Sequence, residues 1–166
     1  MIARQDGEKG LEAWLQQLDD REVIPILLLD RNGQDLLQRK VPESILLVED
    51  SMIIALDTAE ILRNFGVSHV STSASVASAL EAIERHRPDF AIVDFNLGSE
   101  TSEPIIGELR KQGIPFVLAT GYGDLSEQAT KLGAVGVLSK PYGQQDIEKA
   151  IPGLSESRSN SSVAAR

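Results

Sequence analysis

From Ser44 onward the chain alternates between short runs that are apolar almost throughout and longer stretches in which apolar residues recur every three or four positions. The short runs are Ser44-Ile45-Leu46-Leu47-Val48, His69-Val70-Ser71-Thr72 (the weakest), Phe90-Ala91-Ile92-Val93, Phe116-Val117-Leu118-Ala119, and Ala134 to Leu138. A half-exposed strand would alternate apolar with polar residues. Continuous apolar runs instead suit strands of a parallel sheet covered on both faces. Between them, Met52, Ala55, Leu56, Ala59 and Leu62 carry helical spacing, as do Val76, Ala79, Leu80 and Ile83. Ile105, Ile106 and Leu109 mark a third helix, Leu125, Ala129 and Leu132 a short fourth, and Ile147, Ala150 and Ile151 a fifth. Gly66, Pro88, Gly113 and Pro152 supply the stops.

Five β-α units with short strands require right-handed crossovers. The predicted fold is therefore α/β, a doubly wound five-stranded parallel sheet with helices on both faces. Its predicted extent is residues 43–152, with a polar, small-residue, disordered tail over 153–166. Residues 1–42 do not follow the pattern. Leu11, Trp14, Leu15 and Leu18 form a helical stripe, Ile24 to Leu29 is an apolar run broken by Pro25, and Asp30-Arg31-Asn32-Gly33 is a turn signal before Leu36-Leu37. A helix and hairpin are expected there. So many large apolar side chains call for burial, either on the 43–152 domain, on a second copy in a homodimer, or in an upstream domain.

Composition narrows the classes. A net charge of −9 over 166 residues disfavours a nucleic-acid-binding face, so direct nucleic-acid contact is not expected. Cysteine is absent, which removes disulfides, thiol catalysis and thiolate metal sites. No apolar run has membrane-spanning length and the first ten residues lack a signal-peptide core, so a cytoplasmic protein is expected.

In open parallel sheets, sites form at the carboxyl ends of the strands. Strand one runs into Glu49-Asp50, strand three into Asp94, strand four into Thr120, and strand five into Ser139-Lys140-Pro141. Taken singly, an Asp after a strand is more often the cap of the next helix, and Thr120 or Lys140 could be ordinary turn and surface residues. All five on one rim require more. Three clustered carboxylates raise one another's pKa unless a hard cation relieves them, and Mg²⁺ takes oxygen ligands. An ionised Asp can attack phosphorus, and the transfer then needs mainly positioning and charge neutralisation, which Mg²⁺, Lys140 and the Thr120 hydroxyl would share.

Leu47-Val48-Glu49-Asp50, Val93-Asp94, Ala119-Thr120 and Lys140-Pro141 resemble, in order and spacing, the signatures of two-component response-regulator receiver domains. The resemblance implies a flavodoxin-like sheet of order 2-1-3-4-5. It also implies Asp94 as phosphoacceptor, Glu49 and Asp50 as the acidic metal pair for Mg²⁺, and Asn96 as donor of a metal-binding backbone carbonyl. Thr120 would be the switch hydroxyl and Lys140 the phosphate-binding lysine. Pro115-Phe116-Val117-Leu118-Ala119-Thr120-Gly121-Tyr122-Gly123 is similar to the "FAT GUY" receivers that work with HWE-type or related histidine kinases, with Leu118 where that motif has phenylalanine. Val137 stands where many receivers carry a switch aromatic, which leaves Tyr122 as the candidate switch residue.

Expected partners are a histidine kinase or phosphotransfer protein upstream and a protein partner downstream. A receiver excised from a hybrid kinase is an alternative. An Asp-nucleophile phosphatase of the haloacid dehalogenase type is disfavoured by Asn96, where it would need a second Asp, and a pseudo-receiver by the complete set of five site residues. His69 and His86 are isolated, and His86 between Arg85 and Arg87 suits a helix C-terminus.

Overall fold

The inner strands of the sheet divide their side chains between two cores by strict parity. The computed structural model describes residues 41–121 and 126–154. Expectations for residues 1–40, for Tyr122 and for 155–166 lie outside these. The described order is β1 (Ser44–Val48), α1 (Met52–Asn64), β2 (His69–Ser73), α2 (Val76–His86), β3 (Phe90–Asp94), β4 (Asn96–Leu97), β5 (Glu100–Thr101), α3 (Glu103–Lys111), β6 (Phe116–Thr120), α4 (Ser126–Leu132), β7 (Gly136–Ser139) and α5 (Gln144–Ala150). Five strands form one sheet in the order β2-β1-β3-β6-β7, all pairs parallel. This is the expected 2-1-3-4-5 order, renumbered because a small antiparallel hairpin, β4-β5, lies between the third and fourth strands of the sheet.

Successive strand residues point to opposite faces. Ile45, Leu47, Phe90, Ile92, Val117, Ala119 and Leu138 accordingly meet Ala55, Ala59 and Leu62 of α1 and Ile147 of α5. Leu46, Val48, Ala91, Val93, Phe116 and Leu118 meet Ala79 and Ile83 of α2, Ile105, Ile106 and Leu109 of α3, and Ala129 of α4. Burial on both faces is why β1, β3 and β6 read as unbroken apolar runs. β2 is an edge strand, and its His69, Ser71 and Ser73 explain the weakness of its signal.

The ends of elements follow local chemistry. Ser75 accepts a hydrogen bond from the Ser78 backbone N–H at 3.2 Å and starts α2. Pro88 disfavours right-handed helical backbone at the residue before it, and Arg87 closes α2 in the left-handed region at φ 41°. The packed unit is slightly longer than residues 43–152, since Val41 packs on the α1/α5 core and Leu154 is fully buried in it. The expected disordered tail therefore does not begin at residue 153. The α1 stripe also needs correcting. Its buried positions are Ala55, Thr58, Ala59 and Leu62, whereas Met52 and Leu56 are 76% and 62% exposed. Among the described residues no helix is long and apolar enough to cross a membrane.

This burial pattern has a measurable consequence. Leu109→Ala, which empties a fully buried site, is expected to cost about 2–5 kcal/mol in urea unfolding. Met52→Ala in the same apolar helix pattern should stay within about 0.5 kcal/mol of the parent.

Candidate functional site

The site is built from residues one position beyond the strand ends, where parity still acts. Glu49 continues the β1 ladder through its N–H to the Ser73 carbonyl (2.9 Å), and Lys140 continues β7 through its N–H to the Thr120 carbonyl (2.8 Å). Glu49 shares the parity of Ile45 and Leu47, Asp94 that of Phe90 and Ile92, and Lys140 that of Leu138. All three therefore lean to the α1/α5 side of the rim. The contacts agree: the Lys140 Nζ donates to Glu49 Oε2 and to Asp94 Oδ2, each at 2.6 Å. Thr120 has the parity of Phe116 and Leu118, and stands on the rim of the next strand, 3% exposed.

Glu49 and Asp94 are buried, at 3% and 5% exposure, while Asp50 is exposed. The remaining carboxylate oxygens are held by backbone. Ser51 N–H donates to Glu49 Oε1 at 3.0 Å, and Asn96 N–H donates to Asp94 Oδ1 at 3.1 Å. Burial pushes the Glu49 carboxyl above its ordinary range, against the opposing pull of the Lys140 and Ser51 hydrogen bonds. Burial also disfavours the Lys140 ammonium, but its bonds to Asp94 and Glu49 outweigh this and hold its pKa above the usual lysine value.

One ammonium faces three carboxylates, so the rim stays negative. Glu49, Asp50 and Asp94 each offer an oxygen within 4.8 Å of the others. Lys140 engages only two of them and leaves the solvent side of Asp50 open. An all-oxygen cluster with an exposed member fits a hard divalent cation that keeps part of its water.

The loop after Asp94 is more ordered than the sequence signals suggested. Asn96 pairs with Thr101 and Leu97 with Glu100 across the β4-β5 hairpin. Gly98 takes φ 62° at the first of its two turn residues, the type II′ pattern that favours glycine there. Its backbone passes close to the rim: a Cβ there would lie 3.7 Å from Asp50 Oδ2. Ser102, fully buried, anchors the far end by donating from N–H and hydroxyl to the Phe95 carbonyl, each at 3.2 Å. Two-residue strands lie below what periodicity resolves, although Gly98-Ser99 between polar and apolar neighbours was a usable turn signal.

The structure thus brings Glu49, Asp50, Asp94 and Lys140 together and puts Thr120 and Asn96 on the same rim. Tyr122 lies outside the described residues. One residue near the site went unnoticed in the sequence. Tyr142, half-buried two positions after Lys140, shares a hydrogen bond with Thr58 of α1 at 3.2 Å.

Residues 45–152 match the family model described as the response regulator receiver domain. Residues 3–51 match a second model, described as the sensor domain of the sensor histidine kinase AbfS. The chain is 33% identical over 114 residues to the transcriptional regulatory protein PdtaR of Mycobacterium tuberculosis, covering 67% of this chain and 56% of that protein. It is 28% identical to the acid tolerance regulatory protein ActR of Sinorhizobium medicae, covering 66% of this chain and 58% of that protein. The matched part thus spans little more than half the length of these relatives. Among solved structures, a CheY-like receiver domain of Methanospirillum hungatei superposes with a TM-score of 0.60 at 26% identity, covering 71% of this chain and 98% of that one. Chemotaxis protein CheY4 of Vibrio cholerae does so with a TM-score of 0.58 at 26% identity, covering 64% and 92%. With the family model matched across the whole sheet and the acidic rim, the chain belongs to the response-regulator receiver domain family.

Proposed function

We propose that this receiver accepts a phosphoryl group on Asp94 from a histidine kinase or phosphotransfer protein and signals through protein contact from the cytoplasm. The observation that carries the reading is the double engagement of Lys140. Its ammonium spans a buried phosphoacceptor candidate and a buried acidic neighbour at 2.6 Å each, beside a third carboxylate. In this reading Asp94 is the nucleophile, presented with one oxygen on the Asn96 N–H and the other on Lys140. As an Asp94 oxygen bonds to phosphorus, the P–N bond to the donor's phosphohistidine breaks and the imidazole leaves, and a Lys140 hydrogen bond shifts from the Asp94 carboxylate to a phosphoryl oxygen, which carries more charge. The Thr120 hydroxyl closes on another phosphoryl oxygen and reports the modified state, and Tyr122 follows it. Glu49, Asp50, Asp94 and the Asn96 backbone carbonyl would hold Mg²⁺, which supplies charge neutralisation for the phosphoryl oxygens when bound.

Asn96 also separates this reading from a phosphatase. A carboxamide neither gives up nor takes on a proton near neutral pH and so cannot serve a leaving group as general acid or base; in this reading the chain catalyses only its own phosphorylation and dephosphorylation. The acidic balance supports an output by protein contact, not by binding nucleic acid. A second reading is the receiver portion of a hybrid histidine kinase, which the sensor-domain match over residues 3–51 favours. The proposed organisation is an N-terminal extension, serving homodimer formation or belonging to an upstream domain, followed by a receiver whose packing includes Val41.

Incubation with acetyl phosphate and Mg²⁺ is expected to add one phosphoryl group by intact-mass spectrometry, and chelation or Asp94→Asn to prevent it. An adduct that persists in Asp94→Asn defeats the assignment. Mg²⁺ alone should raise the melting temperature of the parent, as any ligand specific to the folded state does, and raise that of Asp50→Asn less.

Lys140→Met is expected to cost about 1–3 kcal/mol near neutral pH, because two buried carboxylates lose a charged donor. The cost has a definite pH sign. Glu49 already has a raised folded-state pKa, and losing Lys140 raises it further, so protonation of Glu49 favours the folded variant. The deficit is therefore largest at neutral pH and shrinks as pH falls through that raised pKa. Urea unfolding of both proteins between neutral pH and the ordinary carboxyl value of 4.5 measures it. A deficit that grows on acidification would contradict the buried pairing.

A further inference from the structure

The segment Lys140-Pro141-Tyr142 has two fixed ends. At one, the Lys140 N–H is bonded to the Thr120 carbonyl at 2.8 Å. At the other, the Tyr142 hydroxyl meets the Thr58 hydroxyl at 3.2 Å, a contact that joins positions 84 residues apart. Two residues later α5 begins. We propose that Tyr142 is a positioning residue, whose hydroxyl bond to Thr58 ties the Lys140 loop to α1 and so holds the Lys140 ammonium over Glu49 and Asp94. This rests on the reading that Lys140 serves the phosphoacceptor.

Thr58 supplies the first reason. It occupies the middle of α1, 1% exposed, on the face that otherwise buries Ala55, Ala59 and Leu62. Valine would fill the same volume with no hydroxyl to satisfy, and threonine is not favoured in a helix interior. The hydroxyl here meets a partner 84 residues away in the chain, on the same face of the sheet.

The second reason is reach. Lysine is a flexible side chain with about 2 kcal/mol of rotamer entropy to lose when fixed. Lys140 must hold two acceptors at once, so backbone freedom at its carboxyl side would blur the geometry. The Tyr142 ring packs against the α1/α5 core, which makes its hydroxyl a rigid tether. Burial, foremost, raises the phenol pKa above its ordinary value, so the group stays a neutral hydrogen-bonding hydroxyl across the working range.

The competing account is that the bond merely satisfies a buried hydroxyl. The two accounts differ at the Lys140 ammonium, which can be observed in metal-free, unphosphorylated protein by ¹H–¹⁵N NMR and assigned by its loss in Lys140→Arg. Positioning requires that Tyr142→Phe and Thr58→Val each move that signal toward the free-lysine position and speed its hydrogen exchange. The double variant should do no more than either single, and Thr58→Ser, which keeps the hydroxyl, should resemble the parent. With Mg²⁺ and acetyl phosphate, both hydroxyl-deleted variants should take up phosphate about three- to tenfold more slowly, the loss of one net hydrogen bond, with half-saturation by acetyl phosphate unchanged. An unmoved ammonium signal in both variants overturns the proposal, even if their melting temperatures fall. If the parent takes up phosphate and the ammonium does not move, positioning fails and the phosphoacceptor reading stands. If the ammonium moves in both variants but the parent takes up no phosphate, positioning stands and the phosphoacceptor reading fails.

Discussion

The Lys140 ammonium, shared between two buried carboxylates on neighbouring strands, is the interaction on which the rim depends. β1 and β3 run side by side, and adjacent strands lie roughly 4.8 Å apart, so Glu49 and Asp94 leave their strand ends at close quarters. Like charges at such range repel, and the ammonium bonded to both offsets the repulsion. The ammonium comes from β7, three strands from β1, and only the register of the whole sheet delivers it between them. The strand parity that sorts the two cores also turns Glu49, Asp94 and Lys140 to one side. Core packing and site geometry are therefore one constraint, since a register slip that exposed Leu47 or Ile92 would also scatter the charges.

Much of this was legible in the sequence because the sheet is buried on both faces. β1, β3 and β6 declared themselves by short apolar runs between turn signals, and the polar residues at their ends are the site. Legibility failed where burial was partial. Met52 and Leu56 fit the helical spacing of α1 yet face water, because spacing alone does not say which of two adjacent stripes meets the sheet. Thr58 was passed over for the same reason: a polar residue on the buried stripe broke the apolar template. The β4-β5 hairpin was missed because two residues cannot show a period. Leu154 lies past Pro152, a stop signal that ends the helix but not the packing.

Tyr142 was invisible for a different reason. Nothing local marks it, since its partner Thr58 is distant in sequence and comes near only after α1 and the last strand take their places on the same face. Contacts of this class depend on topology, whereas the acidic rim is announced by strand ends.

The hairpin after Asp94 alters how a partner meets the site. It is pinned by Ser102 to Phe95 below, and Glu100 accepts from the Val76 N–H at 3.4 Å at the start of α2. A free connection of that length would lose conformational entropy each time a protein docked on it. Here that ordering is completed during folding, so the surface beside Asp94 is preorganised.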